Sequence, residues 1–137
     1  MELLSVREYE LSEIEEVSAS MLQLCKKGSL VGFSGDLGAG KTTLIRSLVS
    51  LLGGTEPVSS PTYVLQHIYT GKDFPIHHWD LYRVTSTPEE LVEMQGECLT
   101  LIEWPEKDPG PPPKLDALIT LQLLEESTRK ITAEIRS

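Results

Sequence analysis

An eight-residue motif constrains the fold of this 137-residue chain more than any other feature of its sequence. Residues 35–42 read Gly-Asp-Leu-Gly-Ala-Gly-Lys-Thr, which matches the pattern G-x-x-x-x-G-K-T without a mismatch. Residues 29–34 predict a short buried strand, and residues 43–52 place apolar side chains on one face of a helix. A strand, a glycine-rich loop and a helix in this order predict a phosphate-binding loop in an α/β protein.

The residue types of this motif are those that binding of a nucleoside triphosphate requires. Glycines allow the backbone to curl so that successive N–H groups point at one anion, and the following helix adds the positive end of its dipole. Lys41 would reach the β- and γ-phosphates, and the hydroxyl of Thr42 would coordinate Mg²⁺. The alternative is a glycine-rich turn followed by a threonine that caps a helix. The predicted nucleotide-binding residues of this motif are Gly35, Asp36, Leu37, Gly38, Ala39, Gly40, Lys41, Thr42 and Thr43.

The charge of the chain argues against direct binding to nucleic acid or to membranes. The sequence has 12 basic and 21 acidic residues and a formal net charge of −9. Phosphate backbones and anionic lipids should repel such a chain, so we expect any role with RNA to run through a partner protein.

No apolar run approaches the ~18 residues of a membrane span, and residues 1–8 lack the pattern of a secretory signal. Cys25 and Cys98 lack metal-ligand spacing and predict reduced thiols in a cytoplasmic protein.

The rest of the sequence predicts a single P-loop NTPase domain over residues 1–137, with a mixed, mostly parallel sheet, antiparallel strands and flanking helices. A pattern typical of a capping box at Ser12–Glu15 predicts a helix that ends at Gly28. Tyr63–Tyr69 and Ile76–Leu81 predict an antiparallel hairpin. The other predicted elements are an edge strand over residues 1–6, a short helix from Thr87, a buried strand over Leu99–Glu103, an extended loop over Pro105–Pro113, and two strands over Ala117–Leu123 and Lys130–Ile135 joined by a turn at Glu125–Thr128.

Two of the predicted strands end in a carboxylate. Asp80 ends the strand after the hairpin turn, and Glu103 ends the buried strand that follows. Ligands of open α/β sheets bind at the carboxyl ends of the strands, which is also where the phosphate-binding loop lies. Either carboxylate could hold Mg²⁺ directly or through water while the other orients the attacking water. The alternative for each residue is a solvated surface charge or a helix cap.

Three aromatic residues near these carboxylates allow several interpretations. His77 and His78 are adjacent in a strand, so their side chains face opposite ways and cannot chelate one metal ion. For His78 we favour a structural or supporting role over catalysis. Trp104 either stacks on a partner or on nucleotide, or it anchors the loop before the proline-rich segment.

Four sequence blocks, in this order, resemble the TsaE family, formerly YjeE, of bacterial tRNA threonylcarbamoyladenosine biosynthesis. The chain is similar to that family over about residues 12–135, and the later blocks are far more selective than the phosphate-binding loop alone. The blocks are GDLGAGKTT at residues 35–43, SPTY at residues 60–63, HWDLYR at residues 78–83 and IEWPE at residues 102–106.

The resemblance implies an activity and partners that the residues alone do not. TsaE proteins are small ATPases that bind ATP and Mg²⁺ and dock on the TsaB–TsaD heterodimer, which modifies the adenosine at position 37 of tRNAs reading ANN codons. ATP hydrolysis by TsaE is needed for repeated turnover and does not itself transfer the group. The resemblance therefore implies contact with tRNA only through the complex, and no contact with a membrane.

The resemblance also assigns roles to individual residues by their position in the blocks. Lys41, Asp80 and Glu103 are the predicted catalytic residues, and Thr42, Asp80 and Glu103 are the predicted metal ligands. Thr62 matches the threonine of a switch-like loop near the γ-phosphate, and Arg129 lies in a late turn where the family contacts nucleotide.

Two other functions would use the same loop. A small-molecule kinase needs an acceptor pocket and usually arginines in a mobile lid over the phosphates. Only Arg83 lies in the middle of the chain outside the phosphate-loop helix, which argues against a kinase. A nucleotide-dependent interaction switch with negligible hydrolysis is the second alternative.

Overall fold

The computed structural model describes residues 2–36, 39–54, 66–81, 96–105 and 114–135. These residues form two α-helices and a sheet of seven strands. The elements are β1 (Glu2–Glu10), α1 (Ile14–Met21), β2 (Leu30–Ser34), α2 (Lys41–Leu51), β3 (Gln66–Thr70), β4 (Pro75–Asp80), β5 (Leu99–Glu103), β6 (Ala117–Leu123) and β7 (Thr128–Ile135).

The strand order of the sheet is β1-β7-β6-β2-β5-β4-β3. The four central strands, β6, β2, β5 and β4, are parallel to one another. Antiparallel strands extend the sheet on both sides, β7 and β1 beyond β6, and β3 beyond β4. This arrangement confirms the predicted α/β class with a mixed sheet and flanking helices. It also brings the carboxyl ends of the parallel strands to one edge, where the phosphate-binding loop leaves β2.

The core lies mainly between the sheet and the two helices. Strand side chains alternate between the two faces, and one face packs against apolar residues of α1 and α2, such as Met21 and Leu44. A smaller apolar cluster around Trp79 and Ile102 covers the opposite face. All five residues of β5 are buried, because its two neighbours are parallel strands and both of its faces are covered. The strand that ends in Glu103 is therefore a rigid support for that residue.

The predicted position of the capping box is wrong. The structure forms it two residues earlier, where the backbone N–H of Glu10 donates to Oε1 of Glu13 at 2.9 Å. A 3-10 turn over Leu11–Glu13 follows, and the α-helix begins at Ile14 rather than at Ser12. The reason is the length of β1, which continues to Glu10 because it pairs with β7 as far as Thr128. The strand, not the local capping preference, sets where the helix starts.

The predicted end of this helix at Gly28 is also wrong, because α1 ends at Met21 and a 3-10 turn over Leu22–Leu24 follows it. The remaining predicted strands are present where the structure describes them, with ends that differ by a few residues. β3 and β4 form the predicted antiparallel hairpin, and β7 begins at Thr128, two residues before the predicted start. The predicted short helix from Thr87 and residues 106–113 of the proline-rich loop lie outside the described residues. Within the described part of the chain, no helix has the length and apolarity to cross a membrane.

Both cysteines are buried as free thiols, as their sequence context predicts. Burial raises the pKa of the Cys25 thiol to about 12, and it also raises the pKa of Cys98. Since the thiolate is the reactive form, both side chains act as small apolar groups of the core.

Candidate functional site

The phosphate-binding motif connects the end of β2 to the start of α2, as predicted. Gly35 directly follows β2, and Gly40 takes a left-handed backbone conformation, with φ of 101°, immediately before the first helical residue, Lys41. The N-terminal N–H groups and the positive dipole end of an eleven-residue helix therefore face the loop. Leu37 and Gly38, in the middle of the motif, lie outside the described residues.

Gly35 occupies a position that no other residue type fits. Its φ of 141° is rare for residues with a side chain, and a Cβ atom there would collide with the backbone carbonyl oxygen of Leu121 on β6. The backbone at the start of the loop therefore packs in direct contact with the backbone of β6.

We expect Gly35→Ala to lower the free energy of unfolding by more than Gly96→Ala, measured by urea denaturation. Gly96 also has a positive φ, of 93°, but a Cβ at that position meets no described atom within 4 Å. The control therefore has only the backbone strain, on the order of 1–3 kcal/mol, whereas Gly35→Ala adds a collision with backbone. Equal destabilisation by the two substitutions would contradict the close approach of Gly35 to β6.

Lys41 is held by two groups of the site itself. Its ammonium Nζ donates to the carbonyl oxygen of Gly35 at 2.6 Å and lies 3.2 Å from the centre of the Trp104 ring. Lys41 is 5% exposed as a whole residue, so both contacts lie where water competes little. The structure thus pre-positions the predicted phosphate-binding cation at the end of β5.

Trp104 takes this place through an unusual backbone conformation. It directly follows β5 with a φ of 61°, the only positive φ among the described residues other than glycine. Its backbone N–H donates to the carbonyl oxygen of Phe33 on β2 at 3.1 Å. A non-glycine residue in this region costs on the order of 1 kcal/mol or more, and such strain clusters at functional sites. The conformation directs the indole toward Lys41, an interaction that the sequence did not predict.

The two predicted carboxylates lie side by side. Asp80 and Glu103 are direct partners in the parallel register of β4 and β5, so both side chains project from the same face at the same edge. They are 6% and 3% exposed, which excludes the alternative of solvated surface charges. Buried carboxylates need hydrogen bonds or a cation, and a site of this kind suits a bound metal.

The donor set near the loop fits Mg²⁺ rather than a softer metal. Among the described residues there is no group of three or more His, Cys, Asp or Glu side chains that could hold a metal ion by themselves. Mg²⁺ is usually held by one or two carboxylates together with substrate phosphates and water, and a P-loop hydroxyl is a further common ligand. Thr42, on the first turn of α2, and the strand-end carboxylates offer oxygen atoms of these kinds.

The side chains of His77 and His78 lie on opposite faces of the sheet, as predicted. His77 points to the opposite face from His78, and its Nδ1 shares a hydrogen bond with Nε2 of Gln66 at 3.2 Å. His78 is fully buried, and its Nε2 lies 2.7 Å from Oε2 of Glu103. His78 therefore supports a predicted catalytic carboxylate.

Arg129, the second residue of β7, approaches the phosphate-binding loop from the side of β2 opposite to β5 and β4. Its Nε lies 3.6 Å from where a Cβ of Gly40 would be and has no hydrogen-bond partner among the described residues. One terminal nitrogen donates to backbone carbonyl oxygens of the β6–β7 turn, including that of Glu126 at 3.2 Å. The structure thus places this predicted nucleotide contact beside the loop.

Tyr9 is a residue near the site that sequence reasoning missed. It is the partner of Arg129 in the β1–β7 pairing, and its hydroxyl is buried without a hydrogen-bond partner among the described residues. Burial raises the pKa of Tyr9, while the positive charge of Arg129 acts in the opposite direction. No local pattern reveals this contact, because it depends on the register of strands at opposite ends of the chain.

The structure brings most of the predicted site residues together around the loop. Lys41 contacts the end of β5, Asp80 pairs with Glu103, and Arg129 approaches Gly40. Ala39 is buried in the core, whereas Asp36 is exposed. Thr62 lies outside the described residues, so its predicted role stays a prediction.

The fold and the site define a P-loop α/β protein, and comparison with known proteins gives its family. The family of the threonylcarbamoyl adenosine biosynthesis protein TsaE matches residues 9–131. The chain belongs to the TsaE family.

Individual relatives agree with this assignment. The tRNA threonylcarbamoyladenosine biosynthesis protein TsaE of Haemophilus influenzae is 39% identical over 109 residues, which cover 74% of this chain and 68% of that protein. The protein of the same name from Treponema pallidum is 34% identical over 117 residues, 80% of this chain and 84% of its own. The crystal structure of Bacillus subtilis YdiB has the same fold, with a TM-score of 0.77, 23% identity, and coverage of 99% of this chain and 89% of that one.

Proposed function

We propose that this chain is a Mg²⁺-dependent ATPase that acts with TsaB and TsaD to form N6-threonylcarbamoyladenosine at position 37 of tRNAs reading ANN codons. In this proposal ATP hydrolysis supports repeated turnover of the complex and does not transfer the group. Membership of the TsaE family supports the role in tRNA modification. The observation that carries the ATPase is the placement of Lys41, at the start of α2, against Gly35 and the end of β5.

The loop and Lys41 would bind the phosphates. The N–H groups at the start of α2 provide fixed donors, and Lys41 would exchange its contacts with Gly35 and Trp104 for the β- and γ-phosphates. Arg129 would contact the nucleotide from the β7 side of the loop, where its Nε has no partner among the described residues.

The hydroxyl of Thr42 and the carboxylate of Glu103 would hold Mg²⁺. Asp80 would either bind the ion through a water molecule or orient the attacking water. The ion supplies electrostatic stabilisation of the transferring phosphoryl group. Asp80 and Glu103 are adjacent in register and buried, so they can act on one ligand with little competition from solvent. Thr62 would lie near the γ-phosphate, as the family resemblance implies.

The charge of the chain supports an indirect relation to tRNA. With a net charge of −9, the chain has few cations with which to neutralise phosphates and release counterions. We therefore propose that it reaches its cytoplasmic tRNA substrate through the TsaB–TsaD heterodimer.

Reconstitution tests the proposed function as a whole. Purified TsaB and TsaD would be incubated with tRNA, ATP, Mg²⁺ and the threonylcarbamoyl donor, with and without this chain. Modified adenosine would be counted by mass spectrometry of the digested tRNA. We expect several products per TsaB–TsaD only when both the chain and ATP are present. The same yield without the chain would contradict the proposal.

A further inference from the structure

A line of hydrogen bonds crosses three neighbouring strands and ends at Glu103. The hydroxyl of Tyr69, on β3, lies 3.2 Å from Nδ1 of His78 on β4. The other ring nitrogen of His78, Nε2, lies 2.7 Å from Oε2 of Glu103 on β5. All three residues are almost completely inaccessible to solvent, with exposures of 1%, 0% and 3%.

Strand register creates this alignment. In the β3–β4 pairing His78 is opposite His67, two residues from Tyr69, and in the β4–β5 pairing it is opposite Leu101, two residues from Glu103. Side chains two residues apart on a strand lie on the same face, and diagonal neighbours on adjacent strands are within reach of long or aromatic side chains. The line of hydrogen bonds thus runs diagonally over the sheet face that packs against α2. It ends at the edge of the sheet where the carboxyl ends of the parallel strands lie.

We infer the direction of this line for an ionised Glu103 and a neutral His78, the states in which the hydrogen-bonding capacities of the three groups allow only one arrangement. In these states the carboxylate only accepts hydrogen bonds, so Nε2 of His78 would carry the proton and donate to Oε2 of Glu103. The unprotonated Nδ1 then accepts from the hydroxyl of Tyr69. The ring of Tyr69 is held in turn by His67, which stacks on it with ring centres 6.1 Å apart and planes inclined by 18°.

We propose that Tyr69 and His78 are positioning residues that fix the carboxylate of Glu103 for the metal-bound nucleotide. His78 engages Oε2, which leaves Oε1 as the oxygen directed to the ligand, and Tyr69 sets the tautomer and the ring orientation of His78. Residues behind a metal-binding carboxylate act in this way in many sites, and their loss typically costs about 10–100-fold in metal affinity or activity. This inference rests on the proposed function, because it assumes that Glu103 serves a metal–nucleotide ligand.

The first test uses the protein without nucleotide or metal. Nitrogen-15 spectra of protein labelled at histidine distinguish the two neutral tautomers, and single substitutions assign the three rings. We expect His78 with its proton on Nε2, and we expect Tyr69→Phe to shift the Nδ1 signal of His78, because Nδ1 loses its donor. A proton on Nδ1 in the parent protein, or an unchanged signal in Tyr69→Phe, would overturn the line of hydrogen bonds.

The second test measures the consequence for the ligand. Isothermal titration with ATP, in Mg²⁺ and in EDTA, gives the factor by which Mg²⁺ increases affinity. We expect Tyr69→Phe and His78→Gln to reduce this factor by about 10-fold while affinity in EDTA is unchanged, because neither residue touches the phosphates. The matched control is His77→Gln, the same change on the opposite face of the same strand, which should leave the factor unchanged.

The outcomes separate the inference from the proposed function. If the parent protein binds ATP with a clear dependence on Mg²⁺ and both variants retain it, the positioning role is wrong and the proposed function stands. If the parent protein shows no dependence on Mg²⁺, the proposed metal site itself is wrong. Tyr69→Phe keeps the buried ring and removes one oxygen atom, so thermal melting should show that this variant folds.

Discussion

Lys41→Ala should reduce the affinity for ATP in the presence of Mg²⁺ by on the order of 100-fold, as measured by isothermal titration. Hydrogen bonds to charged groups contribute about 1.5–3 kcal/mol each, and Lys41 is expected to make such bonds to the β- and γ-phosphates. The backbone N–H groups of the loop are fixed and cannot follow the γ-phosphate, so they do not replace the lost ammonium. Turnover of ATP should fall at least as far, since the same cation would neutralise charge on the transferring group.

A matched control removes the same charge elsewhere. Lys72→Ala changes an exposed lysine in the turn between β3 and β4 and alters the net charge equally. We expect ATP affinity close to that of the parent protein in this variant. If Lys41→Ala and Lys72→Ala bound ATP alike, Lys41 would not be the phosphate-binding cation.

Glu103→Gln should lower the turnover number for ATP by about 10-fold or more without unfolding the protein. The amide has the shape of the carboxylate, and its oxygen can still accept the hydrogen bond from Nε2 of His78, so the end of β5 should persist. What is lost is the negative charge offered to Mg²⁺. Phosphate release at saturating ATP over a range of Mg²⁺ concentrations measures the effect, and melting curves verify the fold.

Two further variants make this result specific. Asp80→Asn should show a comparable loss if Asp80 completes the metal shell through water. Glu97→Gln alters an exposed glutamate just before β5 and should have no effect. Full activity of Glu103→Gln would remove Glu103 from the metal site and leave it a structural residue.

Local sequence patterns predicted the elements that lie next to one another in the chain. The glycine motif predicted the β2–loop–α2 unit, and the turn before Ile76 predicted the hairpin of β3 and β4. The strand-end positions of Asp80 and Glu103 predicted that both would lie at the edge of the sheet where ligands bind, and the structure adds that they are direct partners in register. These predictions succeeded because each depends on short-range periodicity or on a general rule of α/β sheets.

The remaining features depend on register between distant segments. The first helix begins at Ile14 rather than at the predicted Ser12, because β1 pairs with β7 as far as Glu10. The contact of Trp104 with Lys41 arises from one positive φ after β5, which a tryptophan in the sequence does not indicate. The line from Tyr69 to Glu103 requires two strand pairings in a specific register, and no pattern within either strand fixes that register.

Incubation of the protein with γ-labelled ATP and Mg²⁺, with and without TsaB–TsaD, tests the central claim most directly. The account predicts release of labelled inorganic phosphate that TsaB–TsaD stimulates and that Lys41→Ala abolishes. Transfer of the label to a small acceptor would identify a kinase, and binding without release would identify a switch. Either of those results would contradict the proposal that this chain hydrolyses ATP for the tRNA-modifying complex.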